Sequence, residues 1–173
     1  RVNPENPQSP TDFQCDICVG EVPKPTDDGK VYTFKIKKGV KFHDGHVLTA
    51  QDVVATYNKI AFPPEGVASV RKAFFKMLDS VTAPDDETVV FKLKFATGSF
   101  LPVLANPMSP IYSAKDLKEH GYDWHEKNVN GTGAFKFKEA VAGSHVDGVR
   151  FDDFHVKGKP YLDGFRALIS RKM

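Results

Sequence analysis

With 173 residues, 40% of them hydrophobic and 14 of them Phe, the chain can bury a core as one domain or as one and a fraction, which excludes a disordered polymer. Its 24 basic and 22 acidic side chains nearly cancel and are scattered, so no electrostatic footprint for nucleic acid or an anionic membrane stands out. No run of about 18 apolar residues exists to make a membrane-spanning helix, and the absence of an initiator Met, a basic start and an apolar leader fits a mature exported protein, a trimmed chain or a cytosolic one equally.

Residues 1–11 carry Pro4, Pro7 and Pro10 among polar side chains and read as extended or loose. Residues 13–22 hold Cys15-Asp16-Ile17-Cys18, a spacing that invites a redox or metal reading. Tyr32, Phe34 and Ile36 then alternate with Thr33, Lys35 and Lys37, which predicts a strand with one apolar face. Lys38-Gly39 interrupts it, Val40 and Phe42 resume the alternation, and His43-Asp44-Gly45 closes it with a turn. Thr49 followed by Asp52 is a capping box, and Val53, Val54, Tyr57, Ile60 and Ala61 share one side of the helix that it opens.

Cys15, Cys18, His43 and His46 are four residues of the types that zinc prefers. Their spacing disagrees with a zinc finger: 24 residues separate the two pairs and only two lie between the histidines. The alternatives are two ordinary cysteines or a local disulfide.

After the Phe62-Pro63-Pro64 loop, Val67, Val70, Phe74, Leu78 and Val81 recur at helical spacing and predict a core-facing helix, with Arg71, Lys72 and Lys76 on its solvated face. Ser80-Val81-Thr82, an acidic turn and Thr88 to Phe95 predict a β-hairpin with Val89, Phe91, Leu93 and Phe95 on one face. A short helix is expected from Gly98, and a second over Ala114–His120, capped by Ser113 and stopped by Gly121. His120, Asp123, His125 and Glu126 crowd together in sequence, but no regular element there aims four ligands at one point. Phe135 to Glu139 and Val146 to Phe151 predict another hairpin, and Phe165 to Ile169 a last apolar strand.

Two stretches carry a family resemblance. The first runs from Asp27-Asp28-Gly29-Lys30 through Tyr32-Thr33-Phe34 and Lys38-Gly39-Val40-Lys41-Phe42-His43-Asp44-Gly45 to Leu48-Thr49-Ala50-Gln51-Asp52-Val53. The second is Asn128-Val129-Asn130-Gly131-Thr132-Gly133-Ala134-Phe135-Lys136-Phe137, a glycine-rich entry to a strand, with Val129 and Ala134 where prolines are usual. The chain resembles the extracytoplasmic solute-binding proteins of family 5, the peptide, oligopeptide and nickel type, which deliver ligands to ATP-driven importers. Asp152 to Gly164 is similar to that family's acidic-aromatic loop and Lys-Pro-Tyr-Leu-Asp turn, with Asp152-Asp153 and Phe154-His155 departing from it.

The resemblance implies an α+β fold, a mixed sheet with hairpins and short helices forming part of the larger lobe of a two-lobed periplasmic-binding-protein-like architecture. It implies a fragment of a longer protein, with residues 1–128 as an inserted subdomain of that lobe, residues 129–173 as incomplete strands of the main lobe, and the second lobe absent. The implied function is capture of a peptide or other small solute by lobe closure in the periplasm and delivery to an ABC transporter permease, with no nucleic-acid partner. A free-standing structural or interaction domain that binds no transport ligand is the alternative.

No enzyme is read from these residues. His43-Asp44 lacks a serine or cysteine nucleophile, and the acidic pairs 27–28, 85–86 and 152–153 sit at turns, where Asp is favoured for local hydrogen bonds. The expected set is therefore no catalytic residue, no cofactor, no metal, and ligand binding at Asn130, Gly131 and Thr132, where a glycine-rich strand entry exposes amides toward a cleft. A phosphate cradle is excluded there, because a strand follows the loop and not a helix.

Overall fold

Helix α1, Ala50–Ala61, begins where the sequence has its capping box. The Thr49 hydroxyl accepts from the Gln51 amide at 3.3 Å, and the Asp52 carboxylate accepts from the Thr49 amide at 2.8 Å, so donors left over by the first turn are satisfied locally. The computed structural model of the chain describes residues 1–9, 11–107 and 109–169. They form two compact units, Arg1–Lys38 with Thr49–Tyr122, and Gly39–Leu48 with the described residues from Asp123 onward.

In the first unit, strands β1 (Val31–Lys35), β2 (Leu78–Asp85) and β3 (Thr88–Leu93) form an antiparallel sheet in the order β1-β3-β2. Phe34 faces Val89 and Tyr32 faces Phe91, so the predicted alternation is realised as cross-strand pairs. Its buried face carries Tyr32, Val81, Val89, Phe91 and Leu93. Phe91 meets Tyr57 of α1 edge-on at 5.0 Å and Phe100 at 5.4 Å; Phe100, wholly buried, opens helix α2, Phe100–Leu104. Phe95, expected on this face, lies beyond the end of β3 and is exposed.

Asp52 does more than cap α1. Its Oδ1 accepts from the Ala114 amide at 2.8 Å, and the buried Thr56 hydroxyl donates to the Asp52 carbonyl at 2.7 Å while accepting from the Tyr112 amide at 2.8 Å. These bonds fix the start of helix α3, Ala114–His120, whose own cap is the Ser113 hydroxyl and whose stop is Gly121 at φ +83°.

Three local expectations fail. The helical spacing over 67–81 gives only a 3-10 turn at Lys72–Phe75, with Val70 90% and Phe74 63% exposed. Leu78 and Val81 are drawn instead into the ladder opposite Leu93 and Phe91, where extended backbone satisfies more polar groups than a short helix after two prolines and a glycine. Arg71 is not merely solvated, since its guanidinium donates to the Tyr112 hydroxyl at 2.8 Å. Residues 13–22, where the family resemblance implies a strand, form none; they meet their neighbours through the single bridges Val2–Phe13 and Cys18–Ile36.

Cys15 and Cys18 are joined to each other as a disulfide. Their sulfurs are therefore not thiolates, and the four-residue zinc set with His43 and His46 is excluded. The bridged turn is held to β1 and its extension: the Val19 amide donates to the Lys35 carbonyl at 2.8 Å, and the Lys37 amide to the Ile17 carbonyl at 2.9 Å.

The second unit holds the sheet β4 (Phe135–Val141), β5 (His145–Arg150) and β6 (Gly164–Leu168), antiparallel and in that order. One residue is bulged between Phe137 and Glu139. The segment Gly39–Leu48 clusters with this sheet although it lies far from it in sequence, and the chain re-enters the unit at Asp123. The expected cut between residues 128 and 129 therefore does not coincide with the division into compact units. Val40 and Phe42 form no named strand, the segment being held by one bridge, Lys41–Val47.

Candidate functional site

In the second unit, the Gly39–Leu48 part of the first resemblance stretch meets the second stretch. Gly45, at φ +94°, lets the chain reverse over Phe42–His46, and the Gly45 amide donates to the Phe42 carbonyl while the Phe42 amide donates to the His46 carbonyl, both at 2.9 Å. Inside the turn, Asp44 Oδ1 accepts from the His46 amide at 3.2 Å and sits 2.7 Å from His46 Nδ1. The His46 ring stacks on Phe42 at 4.3 Å. These bonds close the turn on itself.

The turn binds the glycine-rich loop. The His43 amide donates to the Gly131 carbonyl at 2.8 Å, His43 Nε2 donates to the Gly133 carbonyl at 2.9 Å, and the Asp44 amide donates to Asn130 Oδ1 at 3.3 Å. The His43 ring packs edge-on against the buried Phe151 at 5.0 Å, and the Phe151 amide donates to the Ala134 carbonyl at 3.0 Å. Donation from Nε2 makes Nδ1 the proton-free nitrogen of the neutral ring, and Nδ1 is buried without a hydrogen-bond partner. Burial, and then the nearby Lys136 ammonium, hold the His43 imidazole below its ordinary pKa against the opposing pull of the Gly133 carbonyl and Asp44.

All three residues expected to bind ligand lie in this braced loop and are half-buried. Asn130 is engaged through its side-chain oxygen by the turn. The glycines are not forced by crowding: a Cβ on Gly131 would meet only His43 Cε1, at 3.8 Å, and one on Gly133 nothing within 4 Å. The loop offers amides, carbonyls and the Thr132 hydroxyl, which suits hydrogen bonding to a polar ligand and supplies no nucleophile or general base of its own. The bracing by His43 was not foreseen, since it is a contact across 90 positions with no local signature.

The crowded set His120, Asp123, His125 and Glu126 is not gathered. Among the described residues, only Glu139, His145 and Asp147 bring three ligand atoms of metal-binding type within 4.8 Å of one another.

Residues 19–171 match the family model described as bacterial extracellular solute-binding proteins, family 5 Middle. The oligopeptide-binding protein AppA of Bacillus subtilis is 37% identical over 154 residues, 85% of this chain and 27% of its own length. The structure of AppA with a bound nonapeptide superposes with a TM-score of 0.75 over 85% of this chain and 30% of that one. The glutathione-binding protein GsiB of Pectobacterium atrosepticum is 34% identical over 141 residues, 80% of this chain and 26% of its own length. The structure of MoaA with mannopinic acid, from A. tumefaciens R10, has a TM-score of 0.77 at 26% identity, over 93% of this chain and 32% of that one. The chain thus spans about a quarter of the length of the curated relatives that it matches.

Proposed function

The chain belongs to the bacterial extracellular solute-binding proteins of family 5, and on that premise we propose that it forms part of the ligand-capturing component of an ABC importer for peptides or related small solutes. The observation that carries this reading to particular residues is the junction of the His43-Asp44-Gly45 turn with the loop Asn130-Gly131-Thr132. Three hydrogen bonds fix the loop before any ligand arrives, so little ordering entropy is left to lose on binding. A peptide presents amides and carbonyls at regular spacing, and a braced loop of backbone groups with one hydroxyl is complementary to it.

In a protein of the relatives' length, the ligand would contact both lobes only when they close, and so would shift the open–closed equilibrium toward the closed form. The closed form, in the periplasm, would then deliver its solute to the membrane permease. We read residues 1–128 as the inserted subdomain of the larger lobe and residues 129–173 as strands of the lobe that carries it. The family and the relatives named above are described as solute-binding proteins, and no reaction is proposed.

Isothermal titration of a protein of the relatives' length that carries this chain, with peptides of two to nine residues and repeated on Thr132→Val, tests both levels of this reading. Binding that weakens on loss of the hydroxyl is the expected result. Unchanged affinity in Thr132→Val removes the loop from the site, and failure of every peptide to bind removes the peptide class.

A further inference from the structure

The hairpin β4–β5 carries a second group of polar side chains, away from the glycine-rich loop in sequence. Antiparallel pairing sets Glu139 opposite Asp147, and His145, two residues before Asp147, lies on the same face of β5. The bulge after Phe137 is what puts Glu139 there; straight alternation would have set Lys138 opposite Asp147. His145 Nε2 lies 3.8 Å from Glu139 Oε1 and 3.9 Å from Asp147 Oδ1. It is buried and has no hydrogen-bond partner.

We propose that Glu139, His145 and Asp147 form a binding site for a first-row divalent cation such as Zn²⁺, clipping β4 to β5. One imidazole nitrogen, a borderline donor, and two carboxylate oxygens are ligands that zinc takes, and a water would complete the four. Ligand atoms about 2.1 Å from a tetrahedral ion stand about 3.4 Å apart, so the separations of His145 Nε2 from the two carboxylates need to contract by only about half an ångström. Glu139, whose side chain is half exposed, can supply that movement by rotating.

The surroundings are those of an oriented ligand set. Ser144 Oγ lies 2.8 Å from His145 Nδ1, which settles the ring's orientation and leaves Nε2 to point at the two carboxylates. Arg166 of β6 binds Asp147 through two bonds, Nε to Oδ1 at 2.8 Å and Nη2 to Oδ2 at 2.7 Å. It holds the carboxylate still and ionised, and each oxygen keeps a second lone pair for a metal. The charges that face the site are Glu139 and Asp147 against Arg166, with Lys138 near Asp147. The two carboxylates bring two negative charges to the site, opposed by the Arg166 guanidinium and the Lys138 ammonium.

The test is calorimetric titration of the metal-free protein with zinc chloride alone, together with its thermal midpoint with and without the ion. The expected result is one equivalent bound and a raised midpoint, because an ion that binds only the folded state stabilises it. His145→Gln and Glu139→Gln, whose metal-free midpoints stay near that of the parent protein, are expected each to lose affinity by at least about tenfold. Absence of stoichiometric zinc binding by the parent protein overturns the proposal. Binding by both variants as tight as the parent's also overturns it, since the ion would then sit elsewhere.

Discussion

His43 Nε2 donates to the carbonyl of Gly133 at 2.9 Å, and through that bond a turn at one end of the sequence sets the shape of a loop 90 residues later. The bond needs a proton on Nε2 and is compatible with the neutral ring. Protonating Nδ1 would place a second donor in a buried position that has no acceptor.

The pH dependence follows from the direction of the His43 shift. Its folded-state pKa lies below the ordinary value of 6.5, chiefly through burial. The unfolded chain therefore binds the proton first, so this group's contribution is present above about pH 6.5 and is lost as pH falls through the depressed folded value. Urea midpoints measured from pH 8 to pH 5 should fall more steeply for the parent protein than for His43→Gln, which can still donate to Gly133 but does not titrate. Parallel curves would show that His43 does not report this equilibrium.

Asp52 is expected to be the most sensitive charged position in the first unit. It is buried and accepts from two amides of different elements, Thr49 at 2.8 Å and Ala114 at 2.8 Å. Asp52→Ala removes both acceptors and leaves two donors unsatisfied, which costs about 2–4 kcal/mol from capping and from hydrogen bonds to a charged group. Asp52→Asn keeps one acceptor oxygen and should lose less. Equilibrium unfolding in urea measures both, and equal losses would mean that the one acceptor oxygen kept by Asn contributes nothing.

What the sequence makes legible here is what neighbours decide. The Thr49–Asp52 box, the alternation of Thr88 to Leu93 and the Ser113 cap each lie within a few residues, and each forms as expected. The run Val67, Val70, Phe74, Leu78, Val81 misleads because a chance helical spacing ends in two residues that pair with β3, and the ladder prevails over the period. The contact of His43 with Gly133 and the group on β4–β5 are set by tertiary pairing. A bulge of one residue decides whether Lys138 or Glu139 faces Asp147, and nothing in the local alternation announces it. Of the candidate loop, the residue types were readable, while the loss of Asn130's oxygen to the Asp44 amide was not.

The Cys15–Cys18 bridge is expected to contribute modestly to global stability and strongly to local order. Closing a loop of so few residues restrains the unfolded chain by only about 2 kcal/mol on the chain-entropy scale. Within the fold, however, the bridged turn is latched by the bonds of Val19 to Lys35 and Lys37 to Ile17. Reduction with a phosphine should therefore lower the urea midpoint slightly and speed amide exchange at Val19 and Lys37. Exchange at these two amides that is indifferent to reduction would show that the latch holds without the bridge.

The last prediction concerns Gly148, which with Gly164 is one of the described glycines whose side-chain space is already taken. A Cβ on Gly148 would lie 2.3 Å from Cε1 of Phe165, the residue paired with it on β6, because the ring lies across the glycine. The same ring meets Phe135 of β4 edge-on at 5.3 Å, so Gly148 lets one aromatic span the three strands. Gly148→Ala forces Phe165 from this position and should cost about 1–3 kcal/mol, the range for overpacking. Phe165→Leu in the same chain relieves the clash, so the double variant should be less destabilised than the sum of the single changes. A double-mutant cycle on urea midpoints reads this directly, and strict additivity would place the cost of the alanine in the backbone of β5 and not in its contact with the ring.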